Sequence, residues 1–353
     1  MLIGTLFALA AGLMWGLVFV APTLLPDYPA LLLSCARYLA FGLIALPLAW
    51  LDRVRIGELT RADWVEAFKL SAVGNLLYYL CLAAAIQRAG GPLPTMIIGT
   101  LPVVIAVTSN LRRAPHSRQR ESRLPWLRML PSLLLIAAGI GCVNLVEIAA
   151  LRADREADLA RYAVGALLAL GAVACWTWYP IRNADWLRAH AERSPRQREH
   201  PAHSAQSARS SQAGTLASGG RARAWATAQG LATLPLAALG LGLFWAWNAA
   251  SGAAFAMPFG PTPELFIGLM FAIGLLASWL GTLCWNEASQ RLPTSLAGQL
   301  IVFETLAALA YAFILRGQAP GPVTLLGVAL LVAGVLWALR VRPEPLAADA
   351  HAN

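Results

Sequence analysis

Charge is what this sequence has least of. Only 13% of its 353 residues are Asp, Glu, Lys or Arg, about half the ~25% usual in soluble domains. Hydrophobic residues make up 58%, so a length that would suit two soluble domains reads instead as one membrane domain. The five cysteines (Cys35, Cys81, Cys142, Cys175, Cys284) all fall in apolar segments without short paired spacing. That excludes a disulfide framework or a zinc motif and leaves small core residues. No GxxxxGK[ST] loop is present, so ATP drive would need another subunit. The apolar segments carry no His, and neither HExxH nor a paired-Asp motif occurs. A membrane-embedded enzyme such as a lipid-modifying transferase needs a nucleophile, base or metal. The expectation is therefore a non-enzyme with no cofactor and no metal.

Long apolar runs are what the chain has instead. A helix needs ~20 apolar residues to cross ~30 Å of hydrocarbon. Ten candidates meet this: 2–20, 29–51, 68–86, 93–111, 126–146, 162–181, 224–247, 265–285, 294–315 and 323–339. The first has no basic stretch before it and no small-residue cleavage site after it, so it reads as a retained span rather than a signal peptide. With the N-terminus inside, 20 of the 27 Lys and Arg lie on the inner side. That bias, rather than nucleic-acid binding, accounts for the net charge of +9 and places both termini in the cytoplasm. Residues 182–223 are rich in Arg, Ala, Ser, Gln and His and read as a disordered cytoplasmic linker, with His190, His200 and His203 solvated rather than metal-binding. The expected division is 1–181 (repeat proper 1–150), the linker, 224–340 (repeat proper 160–340) and a cytoplasmic tail, 341–353.

The chain repeats itself once. Leu80-Cys81, then Gln87-Arg88 and Leu93-Pro94-Thr95, is echoed by Leu283-Cys284, Gln290-Arg291 and Leu292-Pro293-Thr294, and Gly99 and Gly298 follow each Thr by four residues. Five spans per half is an odd number, so the halves must be inverted about an axis in the membrane plane. The fold expected is all-α integral membrane: ten transmembrane helices as two inverted five-helix repeats around a central cavity. The repeat also shows where the halves differ, with Leu82 opposite Trp285, Ala83 opposite Asn286 and Ile105 opposite Glu304.

Polar residues inside the spans are the candidates for function. Asn75 and Tyr79 share a helical face in the third span, and Ser278, Thr282, Trp285 and Ser289 share one in the eighth. Such stripes face other helices or a wet cavity. Trp15 matches Trp176 by the repeat. Glu304 stands about ten residues into the ninth span, roughly 15 Å deep. A carboxylate there must be protonated, paired or hydrated; it would carry a proton, hold a substrate ammonium, or pair with Arg37. Arg37 would bind a carboxylate or reach toward an interface. Asn286 and Glu287 would gate the inner mouth or cap a solvated helix end. Gly4, Ala8, Gly12 and Gly16 form a small-residue stripe for close helix packing.

These features resemble a known family. Ten spans as five plus five, with Gly12-Leu13-Met14-Trp15-Gly16, Ala174-Cys175-Trp176, Ala36-Arg37-Tyr38, Leu101-Pro102, Gly327 and Gly334, are similar to the EamA-type branch of the drug/metabolite transporter superfamily. Cys284-Trp285-Asn286, followed by Gln299 and Glu304, is similar to the aromatic amino-acid exporters of that superfamily. One departure is Ile301, where the family often has Pro. The resemblance implies an α-helical inner-membrane permease with a central cavity, moving metabolites or amino acids outward by alternating access. The residues expected at the cavity are Trp15, Asn75, Tyr79, Trp176, Thr282, Trp285 and Gln299, with Arg37 and Glu304 as coupling or charge pair. Expected partners are a small-molecule substrate, the lipid bilayer, a coupling proton and, at most, a second copy of the chain as a homodimer. A flippase for a lipid-linked group shares the fold and would be marked by a lateral groove between spans rather than a closed central cavity.

Overall fold

The computed structural model describes residues 2–89, 94, 97–111, 126–153, 159–192, 204–252, 255–317 and 319–340. Every regular element among them is helical, as the apolar runs require: in hydrocarbon a backbone must satisfy its own hydrogen bonds. We label the principal helices α1 (Leu2–Gly16), α2 (Ala30–Leu51), α3 (Arg61–Lys69), α4 (Tyr78–Ala89), α5 (Leu101–Leu111), α6 (Trp126–Ala153), α7 (Leu159–Glu192), α8 (Ser204–Ser251), α9 (Pro263–Ile273), α10 (Gly281–Arg291), α11 (Thr294–Leu300), α12 (Val302–Arg316) and α13 (Pro322–Arg340). Seven helical stretches among the described residues are long and apolar enough to cross a membrane, and Trp126–Cys142 and Pro322–Ala338 are shorter apolar helices. Of the candidate fourth span only positions 93, 95 and 96 lie outside the described residues; its second half is α5.

Two long helices open into wide π turns. Leu70–Leu77 joins α3 to α4, and Gly274–Leu280 joins α9 to α10. In the register that sets Leu82 opposite Trp285, the two segments coincide. Close packing accompanies each widening. A Cβ on Gly74 would sit 2.2 Å from the Tyr179 ring, so only glycine lets α7 lie against the first π segment.

Packing joins the first half of the chain to the second. α2 lies along α8, α6 along α13, α4 along α7, α5 against α11, and α1 against both α10 and α12. The last contact depends on the small stripe. A Cβ on Gly12 would stand 3.0 Å from the Glu304 backbone nitrogen, and one on Gly16 2.7 Å from the Ala307 Cβ. Repeated residues do repeated work: Arg88 donates to the carbonyl of Ala84 and Arg291 to that of Glu287, each four residues back.

The expectation of an unstructured connection over 182–223 is corrected at both ends. Residues 182–192 continue α7 and 204–223 begin α8; the positions of His200 and His203 lie outside the described residues. Ile181, Ala184 and Leu187 form a buried helical stripe, a period hidden among the surrounding Arg and Ala. Trp186 stacks on Trp225 at 3.5 Å and donates its indole N–H to Asp63 at 2.8 Å. His190, rather than being solvated, places Nε2 3.0 Å from the same carboxylate. Arg182 grips Glu66 with two hydrogen bonds of 2.8 and 2.9 Å, and Arg188 donates to the Thr294 hydroxyl at 2.6 Å. One arginine-rich end of the bundle is thereby tied together by the extension of α7.

At that end Asp52, just past α2, receives Arg223 from α8 at 3.1 Å and Arg55 at 2.8 Å. Burial works against its ionisation, but the hydrogen bonds and charges of Arg223 and Arg55 outweigh it and hold the carboxyl below its usual range.

Two outcomes are expected. Replacing Trp186 with Ala removes a stacked ring and leaves Asp63 short of a donor, which should cost about 3–5 kcal/mol. Thermal unfolding in detergent would read this, and a melting temperature equal to wild type would remove α7 from its tying role. The Asp52 contribution is fully present above the unfolded carboxylate value near ~3.9 and is lost as pH falls through the lower folded value. Both arginines are nearly half exposed, so Asp52→Asn should cost only about 1 kcal/mol at pH 7 and reduce the further loss below about pH 4. An acid profile unchanged by the substitution would rule this out.

Candidate functional site

Eight chain segments converge on one small cavity. It is lined by Trp15 and Val18 at the end of α1, Arg37 and Tyr38 in mid-α2, Asn75 in the first π segment and Tyr78 beginning α4. Trp176 of α7, Ala277 and Ser278 of the second π segment, Thr282 of α10 and Glu304 of α12 complete it. Its volume is about 10 Å³, close to the ~10–15 Å³ that admits a single water. The site is thus closed as it stands.

Trp15, Tyr38, Tyr78 and Trp176 give the wall its aromatic rings. Trp15 meets Trp176 edge-on with centroids 5.0 Å apart, and Trp285 packs behind Trp15 at 5.2 Å. Tyr78 stacks on one face of Trp176 at 4.6 Å and Tyr179 lies parallel to it at 5.1 Å. The two tryptophans that the repeat pairs therefore touch at the centre.

Charge enters from two helices. Arg37 is 4% exposed, so it does not reach for an interface. Its Nε donates to the Ser278 hydroxyl at 3.1 Å, and its guanidinium lies 4.8 Å from the Tyr38 ring centre and 4.6 Å from that of Tyr79. Cation–π contacts of this kind supply part of the stabilisation a desolvated guanidinium loses from water. Glu304 is 3% exposed. It lies in the first turn of α12, just past the break at Ile301, where the helix dipole favours a carboxylate. A helix break occurs here without the family's proline.

Five polar atoms around this cavity have no hydrogen-bond partner among the described residues: Arg37 Nη1, Asn75 Nδ2, Tyr78 Oη, Trp176 Nε1 and Glu304 Oε2. Each unpaired buried group costs about 1–3 kcal/mol, so five around one void form a set that structure alone does not explain. Four can donate, and one carboxylate oxygen accepts.

The expected residues separate into three groups. Trp15, Asn75, Trp176, Thr282, Arg37 and Glu304 line the cavity. Tyr79 and Trp285 stand one layer out: Tyr79 hydrogen-bonds the Val18 carbonyl at 3.3 Å beneath Arg37, and Trp285 backs Trp15. Gln299 points elsewhere, its Oε1 accepting from Ser132 of α6 at 2.6 Å. Asn286 and Glu287 are neither solvated nor at the cavity. Asn286 is buried between the Asn183 side chain, at 2.7 Å, and the Ala222 carbonyl, at 3.3 Å. Glu287 pairs with Arg291. Sequence reasoning missed Tyr78, because a stripe through Asn75 admits both i+3 and i+4 and only Tyr79 was taken. Ser278 was legible as a stripe residue, but not as the partner of Arg37.

Comparison with known proteins fits this geometry. A model of the EamA-like transporter family matches residues 2–119. The inner membrane protein YtfF of Escherichia coli (strain K12) is 49% identical over 344 residues, which are 98% of this chain and 97% of that protein. The chain belongs to the EamA-like transporter family. A crystal structure of a protein 17% identical in sequence superposes with a TM-score of 0.61 over 95% of this chain and 96% of that one, a likeness of fold alone. As an EamA-like chain this is a multi-pass membrane permease, and the family points to transport rather than to an enzyme.

If Arg37 and Glu304 share one enclosed field, their substitutions will not add. A double-mutant cycle of Arg37→Met and Glu304→Gln, read by unfolding in detergent, should give a coupling of about 0.5–3 kcal/mol. Strict additivity would show that the two charges are independent.

Proposed function

We propose that this chain is a secondary transporter of the inner membrane that exports small zwitterionic metabolites, amino acids among them, by alternating access. The observation that carries the reading is the set of unpartnered atoms around the central cavity. A guanidinium, an amide and an indole N–H suit a substrate carboxylate; the Glu304 carboxylate suits an ammonium or a proton; and Trp15, Trp176 and Tyr78 offer faces to an apolar or aromatic side chain. Burial of charge inside a membrane is costly and marks a transport path more often than a scaffold.

Ten spans as two inverted repeats, with both termini cytoplasmic, is the architecture we infer. The matched π segments, the meeting of Trp15 with Trp176, and the pairing of each half with the other support it. In that orientation the arginine-rich end faces the cytoplasm, and the Asn183–Asn286 bond and the Trp186–Trp225 stack close the inner mouth. Asn286 acts there as part of the seal, and the Glu287–Arg291 pair holds the end of α10. A cavity with room for about one water must open to admit a metabolite, and breaking this seal is the motion we assign to inward opening. Arg37 and Glu304 both line the central cavity, which favours a water-soluble substrate over a lipid-linked one.

The test is flux in proteoliposomes with labelled amino acids, with and without a pH gradient. Arg37→Gln should lower substrate affinity at least about tenfold, as loss of a charge-assisted hydrogen bond of ~1.5–3 kcal/mol implies. Glu304→Gln should abolish the response to the pH gradient while binding survives. A mutant that still follows the gradient would remove Glu304 from coupling, and absence of flux across a broad metabolite panel would remove the function itself.

A further inference from the structure

The two halves of the bundle differ at one seam. By the repeat, α1 against α12 corresponds to α7 against α5. In the first seam Gly12 and Gly16 bring α1 into contact with the Glu304 backbone and with Ala307. In the register that pairs Trp15 with Trp176, the second seam carries Val173 and Thr177 in place of those glycines. In the register that pairs Ile105 with Glu304, Thr108 stands where Ala307 is. Bulk replaces hydrogen on one helix and methyl on the other, so α7 is held away from α5. The result is an open groove of about 490 Å³, lined by Val104 and Thr108 of α5 and by Leu170, Val173, Thr177 and Arg182 of α7.

The groove has a direction. From Leu170 to Arg182 it runs along twelve residues of α7, roughly 18 Å, close to the ~15 Å of one leaflet's hydrocarbon. Its body is apolar. Arg182 stands at the arginine-rich end, its side chain 39% exposed. Glu66 engages two of its N–H groups, and a guanidinium has five. Part-way along, Thr177 is 9% exposed, and its buried hydroxyl has no hydrogen-bond partner among the described residues. An apolar slot about as long as one leaflet's hydrocarbon, with a partly exposed guanidinium at its arginine-rich end, matches one class of ligand.

We propose that this groove is a binding site for a single glycerophospholipid of the arginine-rich leaflet. One acyl chain lies between α5 and α7, and the phosphate sits against Arg182. The lipid fills the seam that the other half closes with glycine, and it stays in place while the central cavity works. The proposal rests on the seam and not on the identity of the transported solute.

The test uses the purified full-length protein in detergent, titrated with phosphatidylglycerol and observed by native mass spectrometry. Wild type should retain one lipid per chain. Ala174 lines the groove and is exposed, so Ala174→Phe plugs the slot without entering the core and should lower retention at least about tenfold, a ~1.4 kcal/mol change. Leu134→Phe, on a surface position of α6 that is 60% exposed, should leave it unchanged. A second readout uses Trp178, which also lines the groove. In vesicles of phosphatidylglycerol brominated on its acyl chains, the wild-type protein should lose more fluorescence than Trp178→Phe, and the difference should vanish when the plug is added. Equal retention by wild type and Ala174→Phe would overturn the proposal. So would displacement of the lipid by a transported solute, which would make the groove part of the translocation path.

Discussion

A guanidinium and a carboxylate enclosed in an apolar bundle impose conditions on everything around them. Water is not there to solvate them, and an ion in a low-dielectric interior is tolerated only where charge, dipoles and hydrogen bonds replace its hydration. For Arg37 the replacement is Ser278 and two tyrosine rings. Glu304 stands in the first turn of α12, and its Oε2 has no hydrogen-bond partner among the described residues. Each solution draws in a second helix: the Ser278 hydroxyl comes from a π segment across the bundle, and the start of α12 is reached by α1 only because Gly12 lacks a side chain. The centre is therefore where packing and electrostatics meet the same requirement.

Both solutions are incomplete, and the incompleteness has a pattern. Many polar groups in the bundle find partners with economy: Ser71 donates to the Gln229 carbonyl, Tyr179 to the Gln229 side chain, and Asn183 bridges Trp225 and Asn286. Ten buried side-chain atoms among the described residues do not; five of them gather around this one small cavity, and the others are scattered over Thr177, Trp245, Trp285, Ser289 and Gln299. That concentration at the centre argues that the open valences there belong to what the site receives.

Much of this was legible in the residues. Apolar runs gave helices, and the repeat and polar stripes brought Trp15, Asn75, Trp176 and Thr282 to one place, with Arg37 and Glu304 beside them. What escaped was anything that depended on a neighbour distant in sequence. Gln299 looks like a cavity residue from its position in an apolar run, and only the proximity of Ser132 turns it away. The extension of α7 past Ile181 is polar by composition. It folds because Trp225 and Asp63 wait on helices that the local sequence does not reveal. Tyr78 and Tyr79 are adjacent, and periodicity alone cannot choose between i+3 and i+4.

On the proposed two-repeat architecture, duplication explains the frame and divergence explains its uses. Residues kept in both copies, such as Arg88 and Arg291 folding back on their own helices, serve geometry that either half needs. Exchanges at matched positions break the symmetry where the halves have different tasks. Ile105 opposite Glu304 gives the cavity a carboxylate on one side only. Val173 and Thr177 opposite Gly12 and Gly16 leave one seam open to the bilayer and the other shut. The two asymmetries are linked through geometry. The closed seam is the one that carries the carboxylate, and the glycines that close it bring α1 against the backbone of Glu304. A groove there would admit lipid to the back of the charged site. The same groove on the opposite seam lies behind Ile105, where an apolar neighbour costs nothing.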